Sequence, residues 1–180
     1  MNQAKENYYS NTDIAYLAGL VDGEGSIVVH RTRPQKNRQR GNGKFYSDKT
    51  PRFVVDIAVS MTDKNTIYWI KSLFGGCVYK RADNRQERYR DLYCWQIRAN
   101  KAIAVMKLLL PYLRTKKYQA ILCTTFQEKL ILKRNKIWGK QITEKQLDKR
   151  ESFYRTNKAM NRGWSPDDES FIPDRCAEYY

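Results

Sequence analysis

Tyr16-Leu-Ala-Gly-Leu-Val-Asp-Gly-Glu-Gly-Ser26 is the stretch on which the reading of this chain turns. Ala15, Gly19 and Gly23 recur at every fourth position, with Ala18 alongside, so a helix here carries a stripe of small residues. Such a stripe lets two helix backbones approach closely. Asp22 and Glu24 stand at the end of that helix, among glycines that leave backbone carbonyls accessible. If the helix pairs with a copy of itself, a two-fold axis brings two carboxylates together at the foot of the contact. Adjacent carboxylates repel, and divalent cations neutralise them. Oxygen-only ligands suit Mg²⁺, which is also a common metal for phosphodiester hydrolysis. A short small-residue helix, or a D-x-E turn, is by itself an ordinary helix end. The two together, ahead of a strand and in a strongly basic chain, favour chemistry.

Moving outward, Thr12 or Asp13 is the expected cap of a helix carrying Ile14, Leu17, Leu20 and Val21, and Ser26 to Thr32 reads as a β-branched strand. Between His30 and Arg52 lie Arg31, Arg33, Lys36, Arg38, Arg40, Lys44, Lys49 and Arg52 against one acid, Asp48, with Pro34, Gly41, Gly43 and Pro51 marking a long turn or hairpin extension. Phe53 to Ser60 alternates as a half-buried antiparallel strand should. Thr62 is the expected cap of a helix stopped by Gly75-Gly76. Cys77–Arg81 and Leu92–Arg98 form a second hairpin around a basic loop. Asn100 is the expected cap of a helix to Leu110, another helix runs from about Tyr118 to Lys136, and Thr143 with Gln146 forms a capping box for a last helix to about Met160. The order is αββαββα with a helical carboxy-terminal extension: an α+β fold with helices on one sheet face and the other face free. One domain over 1–163 follows, with its core at about 12–130 and the extension at 131–163. The stretch 164–180, with Asp167, Asp168, Glu169 and Asp174, reads as a weakly ordered acidic tail.

Composition narrows the function. Thirty-four Lys and Arg against 19 Asp and Glu leave a net charge of +15 on a chain of 180 residues, long enough for one real core. A hydrophobic fraction of 41% with 13% aromatic residues excludes a disordered basic tail, so the charge sits on a folded domain and points to a polyanion. No apolar run approaches the ~18 residues that a membrane span needs, and Met1–Thr12 shows no secretory h-region. An intracellular setting is expected: bacterial or phage cytoplasm, or an organelle. Cys77, Cys94, Cys123 and Cys176 lack the close spacing of zinc ligands and read as reduced, mostly buried thiols. With His30 as the one histidine, a triad or a Cys-His pair has almost nothing to stand on. No P-loop or dinucleotide fingerprint occurs. Carboxylates, a lysine and bound metal are left to carry any reaction.

Leu17-Ala-Gly-Leu-Val-Asp-Gly-Glu-Gly25 resembles the motif of the LAGLIDADG homing endonucleases, with unbroken spacing and conservative differences. Thr62-Asp63-Lys64, ahead of a helix ending in Phe74-Gly75-Gly76, is similar to the family's second helix. Pro111-Tyr-Leu-Arg-Thr-Lys-Lys-Tyr-Gln-Ala120 resembles the segment that carries its active-site lysine. The resemblance spans about residues 12 to 130 and one motif copy, and so implies a homodimer with Ala15, Ala18, Gly19, Asp22 and Gly23 at the interface. It implies Glu24 as the metal-binding acid, the Gly23 carbonyl as a second ligand, and Lys116 as a catalytic lysine stabilising charge or polarising water. Asp63 falls at a solvent-positioning site where the family often has Gln. Asp22 fits helix-end support better than metal binding. The implied cofactor is Mg²⁺, two or three ions at the dimer axis, with Mn²⁺ as a substitute and Ca²⁺ as an ion bound without turnover.

The resemblance further implies a sheet lying along the DNA major groove. Counting by twos from Glu24 puts Ser26, Val28, His30 and Thr32 on the free face. Val54, Asp56, Ala58 and Ser60 follow in the next strand, with Arg52, and Lys80, Arg90 and Gln96 in the second hairpin. Arg, Lys and Gln pair with base edges, and Asp accepts from cytosine. Solvated strand residues or phosphate contacts fit these positions equally well. The 31–52 extension and the lysines of 129–150 read as backbone grips. The expected activity is a site-specific, intron-encoded double-strand DNA endonuclease, cutting by in-line attack of water at a near-palindrome of roughly 20 bp. A maturase of the same fold acting on intron RNA, and a non-cleaving DNA-binding regulator, stand as alternatives; Glu24 and Lys116 together argue against the second.

Overall fold

A computed structural model describes residues 9–34, 38–39, 45–46, 50–81, 90–131 and 142–164. Its elements are α1 (Asn11–Glu24), β1 (Gly25–Thr32), β2 (Arg38–Gln39), β3 (Phe45–Tyr46), β4 (Arg52–Met61), α2 (Lys64–Phe74), β5 (Cys77–Arg81), β6 (Leu92–Arg98), α3 (Ala99–Leu109), α4 (Lys117–Phe126) and α5 (Glu144–Met160). A π-helical turn, Gln127–Ile131, follows α4 directly. β1, β4, β6 and β5 form one antiparallel sheet in the order β1-β4-β6-β5, and β2 pairs with β3 as a separate small hairpin within the basic extension. The expected α+β architecture is therefore the observed one.

Strand alternation sends Ile27, Val29, Phe53, Val55, Ile57, Val59, Trp95 and Ile97 to one sheet face, where all are buried. Leu17, Ala18 and Val21 of α1, Ile67, Ile70 and Phe74 of α2, and Ala102, Met106 and Leu109 of α3 close that face, with Phe126 of α4 and Phe153 of α5. The described helices lie on this one side and leave the opposite sheet face open.

Several caps differ from expectation. Ser10, not Thr12 or Asp13, caps α1: its hydroxyl accepts from the Asp13 N–H at 3.2 Å and its own N–H donates to the Asp13 carboxylate at 2.8 Å. Asp63, not Thr62, caps α2, because a carboxylate accepts from Asn65 and Thr66 at once. Arg98 precedes α3 without a side-chain cap, and Asn100 instead accepts from Gln127 at 2.8 Å. The Thr143–Gln146 capping box forms as expected. Cys94 and Cys123 are buried free thiols, whereas Cys77 is exposed. Part of the 31–52 extension, the 82–89 loop, 132–141, Cys176 and the acidic tail beyond Trp164 lie outside the described residues. Among the described residues no helix is long and apolar enough to cross a membrane.

Two glycines shape the sheet ends. A Cβ on Gly25 would sit 2.6 Å from the Val21 Cα, so only glycine lets the chain leave α1 directly into β1. Gly76, at φ +87°, passes under Trp95, and the Trp95 indole N–H donates to the Gly75 carbonyl at 2.7 Å. These contacts fix both helix-to-strand junctions.

Candidate active site and nucleic-acid interface

The carboxy end of α1 is tied to the loop before α4. Asp22 receives the Arg114 N–H at 2.7 Å, the Lys116 N–H at 2.9 Å and the Thr115 hydroxyl at 3.0 Å. Burial would raise its carboxyl pKa, but these donors prevail and hold it below the usual aspartate value. In return the Lys116 ammonium donates to the Asp22 backbone carbonyl. A lysine 94 positions away in sequence is thereby anchored two residues from Glu24, which ends α1 with an exposed side chain. The Asp22 carboxylate is thus taken up by the chain's own 114–116 loop.

The other expected residues divide. Asp63 is the N-cap of α2, its carboxyl held below the usual pKa by the Thr66 hydroxyl and N–H. Ala15 is half-buried and Gly19 and Gly23 are exposed, but Ala18 is completely buried in the chain's own core and so has no surface to offer a partner. Among the described residues nothing lies within 4 Å of a Cβ built on Gly19 or Gly23, so their packing requires neither glycine.

On the open sheet face the register pairs Ser26 with Ala58, Val28 with Asp56, His30 with Val54 and Thr32 with Arg52. β6 adds Arg98 opposite Asp56, Gln96 opposite Ala58 and Cys94 opposite Ser60. Directly opposed residues share a face, so Ser26, His30, Thr32, Arg52, Asp56, Ser60 and Gln96 lie together as expected. Lys80 does not: it pairs with Tyr93, on the helix side, and its ammonium meets Asp91 at 2.7 Å. Counting within β6 alone hid the pairing that sets β5's parity; Tyr79 takes the open-face position. Arg90 is exposed but precedes β6 and has no ladder partner.

Asp56 is the largest surprise. It stands on the open face yet is only 1% exposed, covered by His30 Nε2 and Gln96 Nε2, each 2.7 Å from its Oδ2, and by Arg98 Nε at 3.6 Å. Hydrogen bonding to Asp56 raises the His30 pKa above the ordinary imidazole value, against a smaller opposing effect of burial. Asp56 is therefore not the direct acceptor from cytosine that alternation suggested. Arg98 was missed although it lies two residues beyond Gln96 on the same face.

Residues 17–126, more than half of the chain, match the family model described as LAGLIDADG endonuclease. The chain belongs to the LAGLIDADG endonuclease family. A protein of Mycoplasma pneumoniae described as uncharacterized is 36% identical over 70 residues, a stretch covering 38% of each chain. This LAGLIDADG chain also resembles the archaeal intron-encoded homing endonuclease I-Vdi141I complexed with DNA, at TM-score 0.59 and 15% identity over 90% of each chain. I-CvuI, in a complex with a DNA target, matches at TM-score 0.58 and 19% identity over 86% of this chain and 85% of its own. I-GzeII with its DNA target gives TM-score 0.57 and 19% identity, over 84% of this chain and 46% of that one. At these identities the structural likeness is one of fold.

Proposed function

We propose that this LAGLIDADG protein is a divalent-metal-dependent, site-specific DNA endonuclease that works as a homodimer. The observation that carries the reading is the Lys116 ammonium anchored on the Asp22 carbonyl, two residues before the exposed Glu24. Non-local contacts to Asp22 hold the lysine at the helix end that carries the acid, an arrangement that core packing does not require.

Glu24 and the Gly23 carbonyl are hard oxygen donors at a helix C-terminus, where the last carbonyls lack intrahelical partners and the dipole is negative. That donor set fits Mg²⁺. Such an ion supplies charge neutralisation and acidifies bound water. Among the described residues no three His, Cys, Asp or Glu side chains of one chain gather into a metal site. A site at Glu24 is then completed by Glu24 of a second copy, across the open faces of Gly19 and Gly23. Lys116 stabilises the negative charge that develops on the phosphoryl oxygens during in-line displacement, and Asp22 keeps its loop in place. The open sheet face lies along DNA, and a charge of +15 supplies the sequence-independent attraction to phosphate.

The test is cleavage of a randomised double-stranded library with Mg²⁺, comparing wild type with Glu24→Gln. The wild type is expected to cut one long near-palindrome, and the variant to lose at least a hundredfold in rate while still binding the same DNA. Wild-type binding without cleavage would overturn the nuclease reading and redirect attention to intron RNA.

A further inference from the structure

The open sheet face should be wet, or dry only against DNA, yet its centre holds a buried carboxylate. Val28, Val54 and Ala58 surround Asp56 with small or apolar side chains. Burying a carboxylate is costly unless it is fully paired, and an apolar residue of similar size generally serves stability as well or better. Stability alone therefore gives little reason for Asp56. What the carboxylate does is gather side chains from the strands on both sides: His30 from β1, and Gln96 and Arg98 from β6.

Each partner is held by one defined atom, and this leaves a defined remainder facing outward. Gln96 gives one Nε2 hydrogen to Asp56 and keeps its Oε1 and second hydrogen. Arg98 turns its Nε towards Asp56 at 3.6 Å, with its side chain 62% exposed, which leaves the terminal guanidinium nitrogens as a fork with no partner among the described residues. His30, half exposed, gives Nε2 and keeps Nδ1. A guanidinium fork matches guanine O6 and N7, and a glutamine amide matches adenine N6 and N7.

Resting on the DNA-binding reading above, we propose that Asp56 is a positioning residue that fixes His30, Gln96 and Arg98 as one base-reading unit, with Arg98 as its guanine reader. The three side chains are pre-ordered before DNA arrives, so less conformational freedom is lost on binding. The phosphate grips on the periphery are left untouched by this unit.

The experiment is selection of bound sequences from a randomised duplex library, without cleavage, for wild type, Asp56→Asn, Arg98→Ala and His30→Ala, with thermal unfolding of each. Arg98→Ala is expected to reduce guanine preference at one position per half-site by about 5- to 150-fold, the range of a bidentate base contact. Asp56→Asn is expected to relax that same position and its immediate neighbours, with the salt dependence of binding unchanged. Preferences that persist in Asp56→Asn, or that weaken evenly along the site, overturn the proposal while leaving DNA recognition intact. A wild type that binds with no preference overturns the DNA-reading function and the proposal together. If Asp56→Asn does not fold, the His30→Ala and Arg98→Ala double variant decides the matter. Overlapping, non-additive shifts support a shared support residue, and separate additive shifts overturn it.

Discussion

Asp22 shows how a single residue can join the two halves of a candidate active site. Its carboxylate takes two backbone N–H groups and a hydroxyl from the 114–116 loop, while its carbonyl takes the Lys116 ammonium. The depressed pKa has a definite sign. The stabilisation is present above the unfolded aspartate pKa and is lost as pH falls through the lower folded value. Asp22→Asn is expected to lower stability by about 1 kcal/mol near neutrality, and the difference from wild type should shrink as the solution is acidified towards pH 2. Urea unfolding at a series of pH values checks this, and a constant difference would disconnect Asp22 from the loop. At this scale the sequence was informative where chemistry is local. Glu24 sits at the motif's end because the glycine spacing says so, and Gly25 is forced by the approach of Val21. Asp56 was not legible in its actual role, because burial of an open-face carboxylate depends on partners 26 positions before it and 40 after.

Among the elements, α5 answers a problem that β1 creates. β1 is an edge strand, with outward N–H and C=O groups that invite pairing with another chain. Asn157, buried in α5, donates its amide to the Ile27 carbonyl at 3.2 Å and accepts the Val29 N–H at 2.9 Å, taking the place of a neighbouring strand. Asn161 also donates to the Ile27 carbonyl, and Arg31 meets Glu151 at 2.8 Å further along the edge. Asn157→Leu keeps the volume but strands the Val29 N–H and leaves the Ile27 carbonyl to Asn161 alone, so a loss of about 1–3 kcal/mol is expected. The distinguishing readout is faster hydrogen exchange of the Val29 amide; unchanged protection would mean that Asn157 is not its partner. Thr143 and Gln146 announced this helix because a capping box is written within four residues. Its docking on β1 was not announced, because no local pattern encodes contacts 128 and 130 positions apart. The same limit explains Lys80: alternation gives two faces, but the register alone says which is which.

For the whole molecule, charge constrains assembly. A chain of +15 repels its own copies at most approaches. Helix α1 is the exception among the described helices, since Asn11–Glu24 contains no Lys or Arg and its exposed side carries Gly19 and Gly23. A glycine within a helix costs about 0.5–1 kcal/mol relative to alanine, and nothing in the packing of the described residues requires it at 19. In the proposed homodimer, close approach of a second α1 would require it. Gly19→Leu is therefore expected to leave the single chain as stable as wild type or more so, since its side chain enters open space, while abolishing association. Sedimentation equilibrium should give wild type twice the 21.4 kDa of one chain and the variant 21.4 kDa, with thermal unfolding reporting that the variant still folds. DNA cleavage should fall with the dimer, because Glu24 then has no counterpart. A Gly19→Leu protein that remains dimeric and active would move the interface away from α1 and, with it, the shared metal site.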